Sequence, residues 1–579
     1  MIPRKNLLIV LLTSFFSALP AAAQHSDNYP NAQIVWDNST LTLIQPNGVY
    51  GRMVRLPDRE ILCAFEWGGA ISVRRSADEG RTWTAPVIAA SYNFGNAANP
   101  ELLVLANGSV LLSYNERPAD GVHPYTIRVA FSRDNGQTWG GYATVFTAGR
   151  TSETGCWEPA QIQLPSGEID LYFSNEQPYP NTNEQEISIS RSFDDGATWS
   201  RPERASFRPR HRDGMPVPLL LHDGSGVLLS IEDNGLAGAF KPAIAPPASG
   251  TRWAALETPL PAKVYAGAPY LRQFPTGETV LSVQSADGRS SQGTLDYSQM
   301  AVYIGDSSAH GFTNISIPFP VPANANGLWN SLFIRNASTL TAISTTTLGG
   351  VYGLWSIDGH LEYGGVPVSP AILSVTNVAG GRPGPVAPGE FVSISGTGLV
   401  SPDAQSGAPV RVSFNGVASP LAYVAGSQIN AVVPWTVAGA ADVTVENDGA
   451  TTYPFPLGLA AAAPEIFTQP DGTAQAVAAN QDNSFNSADN PVSRGSYLSF
   501  WLSGQGEVRM TGAYATPVAP VHVTLGGVQA DVAFAGMISA GVLQVNIKVP
   551  DNAPAGDAVE LVVTAGSSAS RKSAALAIR

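Results

Sequence analysis

From Asn31 to Tyr363 apolar residues recur at every second position in short runs, and the runs are broken by Gly, Pro, Asn and Asp. A period of two predicts β-strands, and the breaks predict tight turns. Six hairpins repeat in this region, with turns at Pro57-Asp58-Arg59, Ala106-Asn107-Gly108, Pro165-Ser166-Gly167, Asp223-Gly224-Ser225, Pro275-Thr276-Gly277 and Asn336-Ala337-Ser338. Between their middle residues the spacings are 49, 59, 58, 52 and 61. Six such units closing radially make a six-bladed β-propeller, expected over residues 31–364, which hides sheet edges by repetition. The early run Gln33 to Leu43 is expected to complete the last blade.

A second pattern runs through the first three units. Ser-x-Asp-x-Gly-x-Thr-Trp starts at Ser76, Ser132 and Ser192, at intervals of 56 and 60 residues. It reads as a turn in which the Asp carboxylate accepts backbone N–H bonds, the Gly takes a positive φ and the Trp covers the sheet edge. The pattern resembles the Asp box of sialidase-type β-propellers, and a structural role accounts for these Asp residues better than catalysis or calcium.

After Gly364 the composition changes. Pro367 to Ala371 reads as a linker, and beyond it Val/Thr/Ser-rich strands alternate with Pro/Gly turns, as in β-sandwiches. Pro388-Gly389-Glu390-Phe391-Val392-Ser393-Ile394-Ser395-Gly396 and Val412-Ser413-Phe414-Asn415-Gly416-Val417 resemble an Ig-like, TIG-type opening and hairpin. Val521-His522-Val523-Thr524-Leu525-Gly526-Gly527-Val528 repeats the second of these. Two Ig-like lobes follow, 368–460 and 461–579. Together they resemble a C-terminal module of exported bacterial proteins, for which attachment to a glycan or cell surface and a plain spacer are the two readings.

The N-terminus adds a destination. Arg4 and Lys5 precede the apolar run Leu7 to Leu19, and Ala21-Ala22-Ala23 offers small residues for cleavage before Gln24. This is the layout of a secretory signal over residues 1–23, and the run is shorter than the ~20 residues a membrane span needs. A secreted chain, extracellular or periplasmic, is expected. Its net charge of -14 argues against nucleic acid and anionic lipid as partners, and charged residues are only 13% of 579. The two cysteines, Cys63 and Cys156, fall in different repeats, so geometry decides whether they pair. No CxxC, HExxH or phosphate-binding Gly loop occurs, so no metal or nucleotide cofactor is expected.

Propeller geometry then sorts residues by face. Hairpin turns and Asp boxes share one face, so the starts of first strands and the ends of second strands meet at the other mouth. First-strand starts supply Arg52, Asn99 with Glu101, Trp157 with Glu158, Asp213, Tyr270, and Trp329 with Asn330. Second-strand ends supply Glu66, Asn115 with Glu116, Asn175 with Glu176, Glu232 with Asp233 and Asn234, and Gln284. Aromatic walls with a few convergent polar groups suit a sugar pocket.

Hydrolysis of a glycoside needs one protonated and one ionised carboxyl about the anomeric carbon. Glu158 and Glu232 stand in neighbouring blades at one mouth and form the candidate pair, with Glu66 and Glu116 as alternatives to Glu232. Arg52, Asn99, Trp157, Asp213, Tyr270, Trp329 and Asn330 are the candidate substrate-binding residues. The basic run Arg208-Pro209-Arg210-His211-Arg212 is expected to be a surface connection with solvated charges, and His123 a solvated loop residue.

Tyr50-Gly51-Arg52-Met53-Val54-Arg55-Leu56, Cys156-Trp157-Glu158-Pro159, Leu229-Ser230-Ile231-Glu232-Asp233-Asn234 and Leu328-Trp329-Asn330-Ser331-Leu332-Phe333 resemble the blade motifs of exo-arabinanases, glycoside hydrolase family ninety-three. The resemblance implies a retaining enzyme that releases arabinobiose from α-linked arabinan, with Glu158 in the nucleophile's place and Glu232 in that of the acid/base. An exo-sialidase and a non-catalytic sugar-binding propeller are the alternatives. Against the sialidase, the place of its second arginine reads Tyr172-Phe173-Ser174-Asn175-Glu176, and an acid there repels a carboxylated sugar.

Overall fold

A computed structural model of the chain describes residues 31–579 apart from 236–237, 248–253, 256–259, 401–409, 471–472 and 572–573. The expected export signal at 1–23 lies outside the described residues. Among those residues there is no α-helix, only a 3-10 turn at Ser152–Thr154 between strands.

Six antiparallel sheets follow one another along residues 49–90, 95–147, 156–206, 213–255, 266–316 and 327–363. In the first five the strands pair in chain order, first to fourth. The sixth lacks a fourth strand of its own, and Ala32–Pro46 pairs antiparallel with Val351–Tyr363 in that place. The first strands, Val49–Arg55, Gly95–Val104, Cys156–Gln163, Asp213–Leu220, Ala266–Gln273 and Gly327–Ile334, each contact the next, and the last contacts the first. The sheets therefore form a closed ring about one axis.

The second strands show why the sequence folds so. Ile61, Cys63 and Phe65 pack with Phe333 and Ile343 of the sixth sheet, while Leu62 and Ala64, on the other face, pack with Leu102 and Leu112 of the second. A strand buried on both faces reads as a near-continuous apolar run, here Ile-Leu-Cys-Ala-Phe. Similar cores fill the other seams, so neighbouring sheets share their hydrophobic contacts around the ring. Both cysteines are buried in such seams and both are free.

Every first strand carries a bulge at one equivalent place. Pairing with the second strand breaks between Val49 and Arg52, Ala98 and Glu101, Trp157 and Ala160, Gly214 and Val217, Gly267 and Tyr270, and Leu328 and Ser331. At each break one non-glycine residue takes a left-handed φ: Tyr50 57°, Asn99 49°, Glu158 53°, Met215 46°, Ala268 47° and Trp329 51°. Such a conformation costs ~1–3 kcal/mol and persists only where surroundings hold it. Side chains of the preceding sheet do this. The N–H of Asn99 donates to Glu66 Oε1 (2.8 Å), that of Met215 to Ser174 Oγ (3.2 Å) and that of Ala268 to Glu232 Oε2 (2.7 Å). Likewise Trp329 donates to Gln284 Oε1 (3.0 Å) and Tyr50 to Thr345 Oγ1 (3.2 Å). All five acceptors occupy the same register position of their second strands, opposite the residue before the bulge.

The three Asp motifs are bonded alike. In the first, Asp78 Oδ1 accepts from Thr82 N–H (2.8 Å) and Ser76 Oγ (2.8 Å), Oδ2 accepts from Thr82 Oγ1 (2.6 Å), and Gly80 N–H donates to Ser76 Oγ (2.8 Å). Asp134 and Asp194 repeat these bonds. Their carboxylates are thus consumed by the turn itself. The same turns show a feature the pattern did not suggest: the residue before each Gly, namely Glu79, Asn135 and Asp195, is also left-handed.

The tail packs against the turn-bearing face. Pro367 to Ala371 is not a free linker: Val366–Pro367 pairs back on Glu362–Tyr363, and Val368 and Ala371 are buried in the core of the last two sheets. Apolar side chains there dock the segment. Residues 371–460 form two sheets over one core. Beyond them one nine-stranded sheet wraps a second core, its halves joined through the long strand Val528–Ser539. Arg59, in the first sheet's hairpin turn, meets Asp442 at 2.8 Å, and Gly458 lies against Asp58.

Candidate active site

At the face opposite the tail the bulges turn six equivalent residues toward the axis. Tyr50, Met215, Ala268 and Trp329 touch one another there with Val49, making an apolar floor. Glu158 and Asn99 complete the set. One layer deeper Arg52 is ion-paired to Glu101 (3.1 Å), lies 4.0 Å from the Tyr50 ring centroid and 4.9 Å from that of Tyr270, and Tyr270 Oη donates to Glu101 (3.1 Å). Arg52 and Tyr270 are 2% and 1% exposed. These two candidate substrate-binding residues therefore form a plug beneath the mouth.

Glu158 sits partly buried on this floor. Its Oε2 accepts from Ser174 Oγ (3.1 Å) and from Met215 N–H (3.2 Å). Burial raises its carboxyl above the ordinary range, and the Arg117 guanidinium, the Met215 amide and the Ser174 hydroxyl pull it back. Glu232, on the second strand of the next sheet, has one donor among the described residues, Ala268 N–H. Burial and then the charge of Glu158 push its carboxyl up to about 8, opposed by that amide and more weakly by Arg212. The two neighbouring acids thus differ in their surroundings: at Glu158 two donors and a nearby cation oppose the effect of burial, and Glu232, with the charge of Glu158 added to burial, keeps its proton at neutral pH.

Gly267 permits this approach. A Cβ there would stand 2.2 Å from Tyr265 Oη and 2.8 Å from Glu232 Oε2. Tyr265 Oη accepts from Gln284 Nε2 (2.9 Å), which fixes the phenol beside Glu232.

The remaining candidates divide. Trp157, partly exposed, has its ring against Tyr125, centroids 4.9 Å apart, and under the Arg117 guanidinium at 5.2 Å. Trp329 is also partly exposed, while Asn99 is buried and accepts from Arg117 through Oδ1. Asn330 is 1% exposed, and among the described residues neither of its side-chain polar atoms has a partner. Asp213 is fully buried, bonded to Ser206 Oγ (2.6 Å) and ion-paired to Arg208 (2.7 Å).

The basic run departs from expectation. Arg208 also reaches Asp233 (3.0 Å), His211 Nδ1 lies 2.6 Å from Asp233 Oδ1, and Arg212 bonds Glu176 and Gln185. Arg208, His211 and Arg212 are paired with the mouth's acids because the connection folds over them, while the Arg210 side chain is exposed as expected. His123 stacks on Phe94, centroids 3.6 Å apart, with Asp120 2.6 Å from its Nδ1.

Sequence reasoning missed Tyr50, Met215, Ala268, Tyr265 and Arg117. Four of the six bulge residues precede proline, in Asn99-Pro100, Glu158-Pro159, Met215-Pro216 and Ala268-Pro269. That repeat was a usable signal, since proline in a strand marks a bulge or an edge. Among the described residues no group of three or more His, Cys, Asp or Glu is placed to hold a metal ion.

No sequence family and no curated protein matches the chain. Solved structures similar to it include the α-L-arabinofuranosidase of Fusarium graminearum in complex with an iminosugar inhibitor, at 19% identity over 57% of this chain and 97% of that one, TM-score 0.44. The α-L-arabinanase of Penicillium chrysogenum complexed with arabinobiose aligns at 19% identity over 58% of this chain and 99% of that one, TM-score 0.44. A protein of unknown function from Dyadobacter fermentans aligns at 14% identity over 58% and 99%, TM-score 0.45.

Proposed function

We propose that this chain is a glycoside hydrolase built on a six-bladed propeller, acting by double displacement at Glu158 and Glu232. What supports the reading is that these two acids stand at one mouth in unlike surroundings, Glu158 accepting from Ser174 Oγ and Met215 N–H and Glu232 from Ala268 N–H. Glu158 attacks the anomeric carbon, and Glu232 gives its proton to the departing glycosidic oxygen. Glu232 then takes a proton from water, which attacks the glycosyl ester and restores both groups. Trp157, next to Glu158 in the chain, and Trp329, on the apolar floor, offer ring faces to sugar C–H surfaces. The substrate we infer is a neutral polysaccharide, α-linked arabinan, cut from its non-reducing end to arabinobiose. We read the enzyme as exported, with the two tail lobes as Ig-like modules that leave the mouth open.

The test is product analysis of the chain on linear arabinan and on a sialylated glycan, with and without Glu158→Gln. The expected result is arabinobiose of retained anomeric configuration by NMR, and a loss of at least ~1000-fold in the variant. Release of sialic acid would replace the arabinan reading. Sugar binding without turnover would leave a lectin.

A further inference from the structure

Glu158 faces an unbalanced set of charges. The carboxyls of Glu66, Glu176 and Glu232 and the phenols of Tyr50 and Tyr265 all act on it or are acted on by it, and against them its principal cation is Arg117. The other arginines of the mouth are spoken for. Arg52 is paired to Glu101, Arg208 to Asp213 and Asp233, and Arg212 to Glu176. Arg117 differs from them: among the described residues no carboxylate lies within 4.0 Å of it. Its fork is occupied by neutral acceptors, Asn99 Oδ1 and Asn115 Oδ1 (3.3 Å), and its plane lies over Trp157.

Building on the glycosidase reading, we propose that Arg117 is the positioning residue of this site, a cation fixed over Trp157, the neighbour of Glu158, so that it supplies charge without forming an ion pair with that carboxylate. A contact ion pair would occupy an oxygen that must reach the anomeric carbon. No cation at all would leave Glu158 among three acids, where it would take up a proton and cease to be a nucleophile. Two asparagines that accept from a guanidinium but carry no charge meet both demands, and Trp157 beneath completes the cradle. Arg117 therefore sets the charge state of Glu158 and the tilt of the Trp157 ring. Lysine lacks the planar fork needed for both bonds and the stack, so it would keep the first role and lose the second.

The experiment follows the Glu158 carboxyl by infrared difference titration of the full chain, each protein against its own Glu158→Gln partner, together with the pH profile of kcat/KM on arabinan. With Arg117→Gln the Glu158 midpoint is expected to rise by about 1 unit or more, and the acidic limb of the profile to rise with it. With Arg117→Lys the midpoint stays near wild type while KM rises. An unmoved midpoint in Arg117→Gln overturns the proposal. If that variant does not fold, Asn99→Leu, which frees the guanidinium from its place, is read instead: a smaller rise supports the proposal and none overturns it. Because the infrared midpoint needs no turnover, a chain that leaves arabinan uncut would overturn the arabinan reading and still decide the role of Arg117.

Discussion

Glu232 holds its proton for two reasons, burial and the neighbouring charge of Glu158. A general acid must be protonated to act, so kcat/KM should fall as pH rises through about 8, and Glu232→Gln should remove that alkaline limb with ~100- to 10,000-fold of the rate. The same shift has a stability sign. The unfolded chain releases this proton near the ordinary carboxyl value while the folded chain keeps it, so the folded state binds more protons between that value and about 8. Stability contributed here is full in acid and is lost as pH rises through that window. Glu390 in the tail, fully buried and likewise pushed up to about 8, acts with the same sign. Melting temperatures of wild type and Glu232→Gln across pH 5 to 9 measure the effect, and the curve of the variant should be the flatter one. Gly267→Ala should cost about 100-fold in activity, since it drives a methyl into the space between Tyr265 and Glu232 and a 1 Å misplacement is enough for such a loss.

Among the elements, the bulged strand is the working unit. Five of the six left-handed residues are held by an amide bond to a side chain of the neighbouring sheet, and at Tyr50 removing the acceptor leaves that N–H unpaired. Thr345→Val, nearly isosteric and 1% exposed, should destabilise by about 1–3 kcal/mol through the Tyr50 amide, as read by denaturant unfolding. The strands themselves were legible because apolar runs such as Ile61–Phe65 announce two buried faces, and the turn residues announce their ends. Glu158 and Glu232 were legible as acids at strand ends. Their difference was not, because it arises from Arg117, Met215 N–H and Ser174, which come from three other strands. The placements of Arg52 and Tyr270 were hidden for a similar reason. A sequence shows that they stand near first-strand starts, but only the bulge, which shifts the register, decides which residue faces the mouth and which lies under it.

For the whole molecule, the mouth and the tail are on opposite faces. The salt bridge of Arg59 to Asp442 is partly exposed and weak, so the fit of Gly458 against the Asp58 carbonyl matters more. A Cβ at 458 would stand 2.7 Å from that oxygen. Gly458→Val should loosen the tail, seen as faster proteolysis near 364–371, while turnover of a soluble oligosaccharide stays within about twofold of wild type. A change in turnover would mean that the tail reaches the mouth after all.

The strand Ala32–Pro46 seats itself on Val351–Tyr363, pairing Ile34 with Leu361. A ribosome makes that strand early, yet its partner is made only after five other sheets. Ile44 finds the first sheet soon after, but until then Ile34 waits for its partner and the circle stays open. Contacts so distant along the chain form slowly. Loss of this one edge should therefore act less on the finished ring than on the time taken to finish it, and a piece made before any of the six sheets is among the last to find its place.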